Sequence, residues 1–281
     1  MVRRVITSVV GLPLLVFVLI SGGVVLEIAL FCVAAFGVTE FYKATTGRDG
    51  MWSQFFIWIA VFAYFFFFLR GFWITDVTGI VTFLAILIMA YGVATVVTHK
   101  TSKSPSAAFA ASGEISSAAP AVAGLFYVAL MLGFVILVRE APGGIYLVWL
   151  IFISAWGADT FAYFVGKAIG RHKLCPALSP SKTVEGAVGG VVGAAVTAML
   201  YGRAISHFFP DAVNTDILLF GIVAAFSAVM SIFGDLTASS IKRKVRIKDF
   251  GKIFPGHGGV LDRFDSVLFT APTIYILLNF L

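Results

Sequence analysis

Long apolar runs separated by short polar breaks constrain this chain more than any other feature. The hydrocarbon core of a bilayer, about 30 Å thick, is crossed by a helix of ~17–25 mainly apolar residues, because only a backbone with internal hydrogen bonds survives there. Stretches at 5–21, 24–41, 53–69, 77–97, 120–138, 144–166, 184–202, 216–236 and 261–280 meet that requirement. The composition agrees, with 60% of the 281 residues hydrophobic and 12% charged, against about half and roughly a quarter in a soluble domain. A soluble globular enzyme is excluded. The expected fold class is an all-α polytopic integral membrane protein of about nine transmembrane helices. Arg3 and Arg4 precede the first run as in a signal peptide, but no polar segment with a small-residue cleavage site follows, so that run reads as a retained helix.

A net charge of +6 raises the question of nucleic-acid binding, and the positions of the basic residues answer it. With the N-terminus inside, seventeen of the 20 Lys and Arg fall in cytoplasmic ends and loops, and Arg70, Arg139 and Arg203 alone fall on the other side. That asymmetry is the positive-inside rule, so the charge marks sidedness, no nucleic-acid partner is expected, and the topology is N-in/C-out. The chain divides into helices one to four (1–98), a Ser/Ala/Thr/Lys segment at 99–117 that reads as a flexible cytoplasmic loop, and helices five to nine (118–281) carrying the chemistry. Cys32 and Cys175 are too few and too far apart for a disulfide framework or a thiolate metal site. No internal repeat is found, which weighs against a secondary transporter built from inverted repeats.

Four of the 14 acidic residues stand at the cytoplasmic ends of apolar runs: Asp159, Asp235, Asp262 and Asp265. One such carboxylate need only sit in interfacial water or pair with an Arg. The C-terminal three form a pattern. If helix eight continues past the membrane surface, Asp235, Ser239, Lys242 and Arg243 share one face, and Asp262 and Asp265 share a face at the start of helix nine. Between them lies a loop crowded with Lys242, Arg243, Lys244, Arg246, Lys248 and Lys252. Carboxylates among so many cations suggest a hard metal ion with a polyphosphate, since magnesium is held by one or two carboxylates together with substrate phosphates. The Pro255-Gly256-His257-Gly258-Gly259 stretch supplies a Gly-rich loop whose amides can approach phosphate, although a plain interfacial turn has the same composition. His99, His172, His207 and His257 are scattered and show no ligand spacing with either Cys, which argues against zinc.

A second polar cluster, Ser179-Pro180-Ser181-Lys182-Thr183-Val184-Glu185-Gly186, precedes helix seven. It is not a P-loop, which needs Gly where this chain has Pro176 and Ser181. A helix N-terminus with Ser181, Lys182 and Thr183 still suits a nucleotide phosphate, and a capped helix start with a snorkelling lysine is the alternative. Gly186, Gly189, Gly190 and Gly193 read as small-residue packing.

Ser239-x-Ile241-Lys242-Arg243, then Lys248-Asp249-x-Gly251, then Phe254-Pro255-x-His257-Gly258-Gly259-Val260-x-Asp262-Arg263-Phe264-Asp265 resembles the signature of the phosphatidate cytidylyltransferases, also called CDP-diacylglycerol synthases. The Ser-Pro-Ser-Lys-Thr-x-Glu-Gly segment and Trp156-Gly157-x-Asp159-Thr160 are similar to that family too, extending the likeness over about 150–281. The resemblance implies that CTP and phosphatidic acid give CDP-diacylglycerol and pyrophosphate, with Mg2+ held by Asp235 and Asp262. Asp265 is expected to hold a second cation or to orient Arg263. Lys182, Lys242, Arg243, Lys248 and Arg263 are expected to grip phosphates, with Ser181, Thr183, Ser239, His257, Gly258 and Gly259 lining the substrates. The implied setting is a bacterial inner membrane with the site facing the cytoplasm, membrane lipids as neighbours, and a homodimer as a compatible assembly. A CTP-dependent polyprenol or phytol kinase is the alternative within enzymes, and a cation transporter the alternative outside them.

The topology is testable with Cys32 and Cys175 replaced. Lys244→Cys should react with an impermeant thiol reagent only from the cytoplasmic face, and Leu281→Cys only from the opposite face. Labelling of position 244 from outside overturns both the nine-pass reading and a CTP-using site.

Overall fold

The computed structural model describes residues 2–47, 51–65, 118–210, 216–254 and 258–280. Helices occupy the expected stretches that fall within those residues. They are α1 (Val2–Ser21), α2 (Gly23–Thr46), α3 (Met51–Ala63), α4 (118–140), α5 (144–169), α6 (Val184–Phe208), α7 (Ile217–Lys244) and α8 (Leu261–Phe280). The expected pass at 77–97 and the 99–117 loop lie outside the described residues. Among the described residues five helices are long and apolar enough to cross a membrane: Gly23–Thr46, Pro120–Glu140, Gly144–Ile169, Val184–Phe208 and Ile217–Lys244. The chain is therefore an all-α polytopic membrane protein. Its described non-helical regular structure is a two-stranded antiparallel ribbon, β1 (Lys173–Cys175) with β2 (Ser179–Thr183), plus a bridge between Phe254 and Gly258.

Several helices outrun the apolar stretch that announces them. The α7 helix continues past residue 236 to Lys244, since nothing in Leu236-Thr237-Ala238-Ser239-Ser240 breaks a helix and the Lys and Arg of its last turn favour the negative end of the helix dipole. Both α4 and α5 contain a π-helical turn, at Leu125–Leu130 and Ile153–Gly157, which shifts the register of the side chains beyond it.

Helices α4 to α8 close a ring in which α4 touches α5 and α8, and α5, α6, α7 and α8 pack successively. The π-turn of α5 lies inside, against α6, α7 and α8. Close approach of α5 and α6 depends on the glycines read from sequence as packing positions. A Cβ at Gly190 would stand 2.7 Å from the Ala158 carbonyl oxygen, and one at Gly186 would stand 2.7 Å from that of Ala162. Such small-residue seams let helix backbones meet where no hydrophobic force drives them together.

Outside the ring, α2 packs on α4 and α8 while α3 packs on α2, where the Trp58 indole donates to Thr39 Oγ1 (3.2 Å). At the far end of α1, Arg139 of α4 donates to the carbonyls of Leu19 (2.7 Å) and Ile20 (2.9 Å). These are carbonyls that a helix C-terminus leaves without intrahelical partners. Gly22, at φ 61°, ends α1 there, and a Cβ at that position would meet the Arg139 guanidinium. Thus one of the few basic residues expected on the non-cytoplasmic side has a capping task.

The seam between α5 and α6 generates a stability prediction. Gly190→Val forces a branched side chain against the Ala158 carbonyl, and overpacking of this kind costs about 1–3 kcal/mol or more. Its unfolding temperature in detergent should fall clearly, whereas Val188→Ala, on the exposed face of the same helix, should leave it unchanged.

Candidate active site

The site forms where the C-terminal parts of α5 and α7 and the N-terminal end of α8 meet the ribbon. Two local features bring the acids together. Gly234 lacks a side chain where a Cβ would come 2.7 Å from the Asp265 carbonyl oxygen, so α7 lies close on α8 just beside Asp235. The extension of α7 then carries Ser239, Lys242 and Arg243 beyond Asp235, along the face expected from their spacing.

Two ion pairs organise the cluster. Lys182, on β2, pairs with Asp235, both part-buried. Lys242 donates from Nζ to Asp262 Oδ1 at 2.8 Å, and its ammonium lies 5.4 Å from the centroid of the Phe250 ring. The other Asp262 oxygen, Oδ2, accepts from the amides of Phe250 (2.8 Å) and Gly259 (3.0 Å). Asp265 is buried and accepts from the Ser266 amide (2.8 Å), and the Ser266 hydroxyl reaches Asp159 Oδ2 at 3.4 Å. Burial opposes the charge on Lys182, but Asp235, Asp159 and Asp265 outweigh it and raise its pKa above the ordinary lysine value. Lys182 therefore stays an ammonium at neutral pH.

Of the other residues predicted from sequence, Thr183 is buried and caps α6, its hydroxyl accepting from the Gly186 amide (3.1 Å). Arg243 donates from Nε to the Leu178 carbonyl at 3.3 Å, tying α7 to the ribbon. Ser181 and Lys248 are exposed and Ser239 is buried. Gly258 has φ 88° and lies against the Asp262 carboxylate, where a Cβ would stand 3.1 Å from Oδ2. His257 lies outside the described residues. At the described end of the Gly-rich loop and just beyond it, amides face the protein's own carboxylates: Gly259 gives its N–H to Asp262, and Val260 and Leu261 give theirs to Glu40.

Glu40 was missed by the sequence reading. It sits in α2, buried, and its Oε1 and Oε2 accept from the Val260 (3.0 Å) and Leu261 (2.9 Å) amides at the entrance to α8. A Cβ on Gly251 or Gly259 would collide with its carboxylate. The available signal was an acid late in an apolar run of the N-terminal half. Asp159 was noticed at a membrane surface but received no role. It lines a cavity of about 300 Å³ together with Tyr163, Lys167, Ser181 and Lys182.

Asp159, Asp235, Asp262 and Asp265 outnumber the two ammonium groups that pair within the cluster, an imbalance that suits a hard cation. Among the described residues no three His, Cys, Asp or Glu side chains form a ready metal cage.

Comparison with known proteins gives concordant findings. A family model described as the cytidylyltransferase family matches residues 2–281. The chain is 36% identical over 184 residues to a phosphatidate cytidylyltransferase of Thermotoga maritima, covering 64% of each chain. It is 44% identical over 126 residues to that of Bacillus subtilis, covering 45% of each. For that of Staphylococcus haemolyticus the figures are 38% over 147 residues, 52% of this chain and 54% of the relative. The matched region spans about half to just under two thirds of these relatives' length.

The clasp made by Glu40 is testable through stability. Glu40→Ala leaves two buried amides without acceptors, at about 1–3 kcal/mol each, and should lower the unfolding temperature and expose the 245–260 loop to protease. Glu40→Gln, which keeps an acceptor oxygen, should fall between Glu40→Ala and the parent chain.

Proposed function

Because the chain belongs to the cytidylyltransferase family, we propose that it is a phosphatidate cytidylyltransferase, joining CTP and phosphatidic acid into CDP-diacylglycerol with release of pyrophosphate. The observation that carries this reading is the cluster in which Lys182–Asp235 and Lys242–Asp262 stand with Asp159 and Asp265 at one end of the helix ring. Phosphates are recognised by such ammonium groups, and the names of the relatives favour nucleotidyl transfer over a lipid kinase or a transporter.

An oxygen of the lipid phosphate attacks the α-phosphorus of CTP, forming the new P–O bond, while the bond from the α-phosphorus to the bridging oxygen breaks and pyrophosphate leaves. The attacking phosphomonoester is largely ionised at neutral pH (second pKa about 6), so neither a protein nucleophile nor a strong base is required. Lys182 holds a triphosphate oxygen from the β2 side of the pocket. Lys242, Arg243 and Lys248 hold phosphates from the α7 side, and Arg263 meets the lipid phosphate. Ser181, Thr183, Ser239, His257, Gly258 and Gly259 line the substrates. Asp235 and Asp262 would hold Mg2+, with Asp265 for a second cation or for orienting Arg263. When bound, the metal neutralises charge that develops on the phosphoryl oxygens. With metal and phosphate bound, Asp235 and Asp262 would serve the metal, which would free Lys182 and Lys242 to pair with phosphate oxygens. The setting is a bacterial inner membrane with the site toward the cytoplasm, which supplies CTP while the lipid headgroup lies at the surface. A homodimer is compatible with this arrangement.

The assay is pyrophosphate release from CTP on adding phosphatidic acid in detergent with Mg2+. Asp235→Asn and Asp262→Asn should abolish turnover in protein that remains folded, and near-parental activity in either variant removes that residue from the metal site. Lys182→Ala should raise the KM for CTP or lower kcat by a factor that reflects a few kcal/mol, as for truncated charge pairs at buried interfaces. Unchanged CTP kinetics would leave Lys182 with a purely structural pairing.

A further inference from the structure

A second cavity, of about 490 Å³, opens between α1, α2, α5 and α8. Its walls are apolar, with Leu15 and Val18 of α1, Ala29 and Val33 of α2, and Trp156 and Phe264 among them, and among the described residues Arg263 is its one charged lining residue. Arg263 is exposed, and its charge acts on Asp159. The cavity also touches Phe254 near Arg263, and Leu19 and Leu26 at its far end, where Arg139 ties α1 to the ring. It is thus a groove running into the membrane with one cation at its cytoplasmic mouth.

We propose that this groove holds an acyl chain of the phosphatidic acid substrate while Arg263 receives its phosphate, so that lipid and nucleotide reach one carboxylate cluster through separate cavities. The proposal rests on the cytidylyltransferase reading for the identity of the lipid. Charge complementarity commits the groove to an amphiphile with one anionic end: an apolar helix of a protein partner has no use for the guanidinium, and a free anion has none for the apolar walls. Guanidinium groups bind phosphate in a bidentate fork, and the volume lies within the range of ligand pockets. The two cavities meet α5 at its π-turn, with Trp156 of that turn in the groove and Asp159, two residues beyond the turn, in the cavity shared with Lys167 and Lys182. That local change of helical register hands neighbouring turns of one helix to two different substrates. In this arrangement the lipid phosphate on Arg263 lies beside the carboxylates and lysines that hold the triphosphate, and the acyl chain never leaves an apolar medium.

The test narrows the groove from both walls, with Ala29→Phe on α2 and Val18→Phe on α1. In detergent micelles each should raise the KM for dioleoyl phosphatidic acid about tenfold, equivalent to ~1.4 kcal/mol. Both should leave the KM for CTP and the turnover of dihexanoyl phosphatidic acid at the parental values. An unchanged dioleoyl KM in both variants, or equal increases for the two chain lengths, overturns the proposal. A measurement without nucleotide separates this result from the fate of the enzymatic reading. Phosphatidic acid with brominated acyl chains should quench the fluorescence of the parent protein more than brominated phosphatidylcholine does, and that excess should be lost in Trp156→Phe and weakened in Arg263→Gln. Equal quenching by brominated phosphatidylcholine overturns a phosphate-selective groove. Selective quenching with no pyrophosphate release sinks the cytidylyltransferase reading and keeps the groove, and pyrophosphate release without selective quenching does the reverse.

Discussion

The entrance to α8 is held by carboxylates that take its backbone amides. A helix N-terminus leaves amide donors without intrahelical partners, and at a membrane surface buried beneath other elements water cannot satisfy them. Glu40 takes the amides of Val260 and Leu261, and Asp262 takes those of Gly259 and Phe250. The negative charges also suit the positive end of the helix dipole. This clasp ties the entrance of α8, and with it Asp262 and Asp265, to α2, so the N-terminal helices support a cluster whose acids and lysines lie in the C-terminal half.

Around that fixed point the charges are matched without being saturated. Lys182 and Lys242 each engage one aspartate, and further acids remain at Asp159 and Asp265. Separating such charges in a medium of reduced polarity is costly unless new partners arrive together. Incoming phosphate for the lysines and a divalent cation for the aspartates are partners of that kind. On the proposed reading, a site that closes its charge balance only with substrate and metal present would discriminate against either one alone, as suits an enzyme drawing one substrate from water and one from lipid.

The π-turns and glycines supply the geometry this requires. Gly234 lets α7 approach α8 beside Asp265, Gly190 lets α6 approach α5, and the π-turn at Ile153–Gly157 places Trp156 and Asp159 in different cavities. In each case a backbone feature of modest cost decides which side chains become neighbours across the ring.

The membrane class and the positions of the described helices were legible in the sequence, because hydropathy over about 20 residues is a property of local chain segments. The extension of α7 was legible for the same reason: Asp235, Ser239, Lys242 and Arg243 share a helical face by spacing alone. The partners were not. That Glu40 reaches Val260 and Leu261, that the Gly259 amide serves Asp262, and that Lys182 pairs with Asp235 depend on segments far apart in sequence, and helical periodicity carries no information about which helix end meets which. The ribbon at 173–183 and the π-turns were equally hidden, since each is a local compromise imposed by packing. What this sequence determined by itself was a set of amphipathic and apolar helices with charged ends; the tertiary structure decided how those ends share their charges, because only close packing brings carboxylates, ammonium groups and backbone amides within hydrogen-bonding distance.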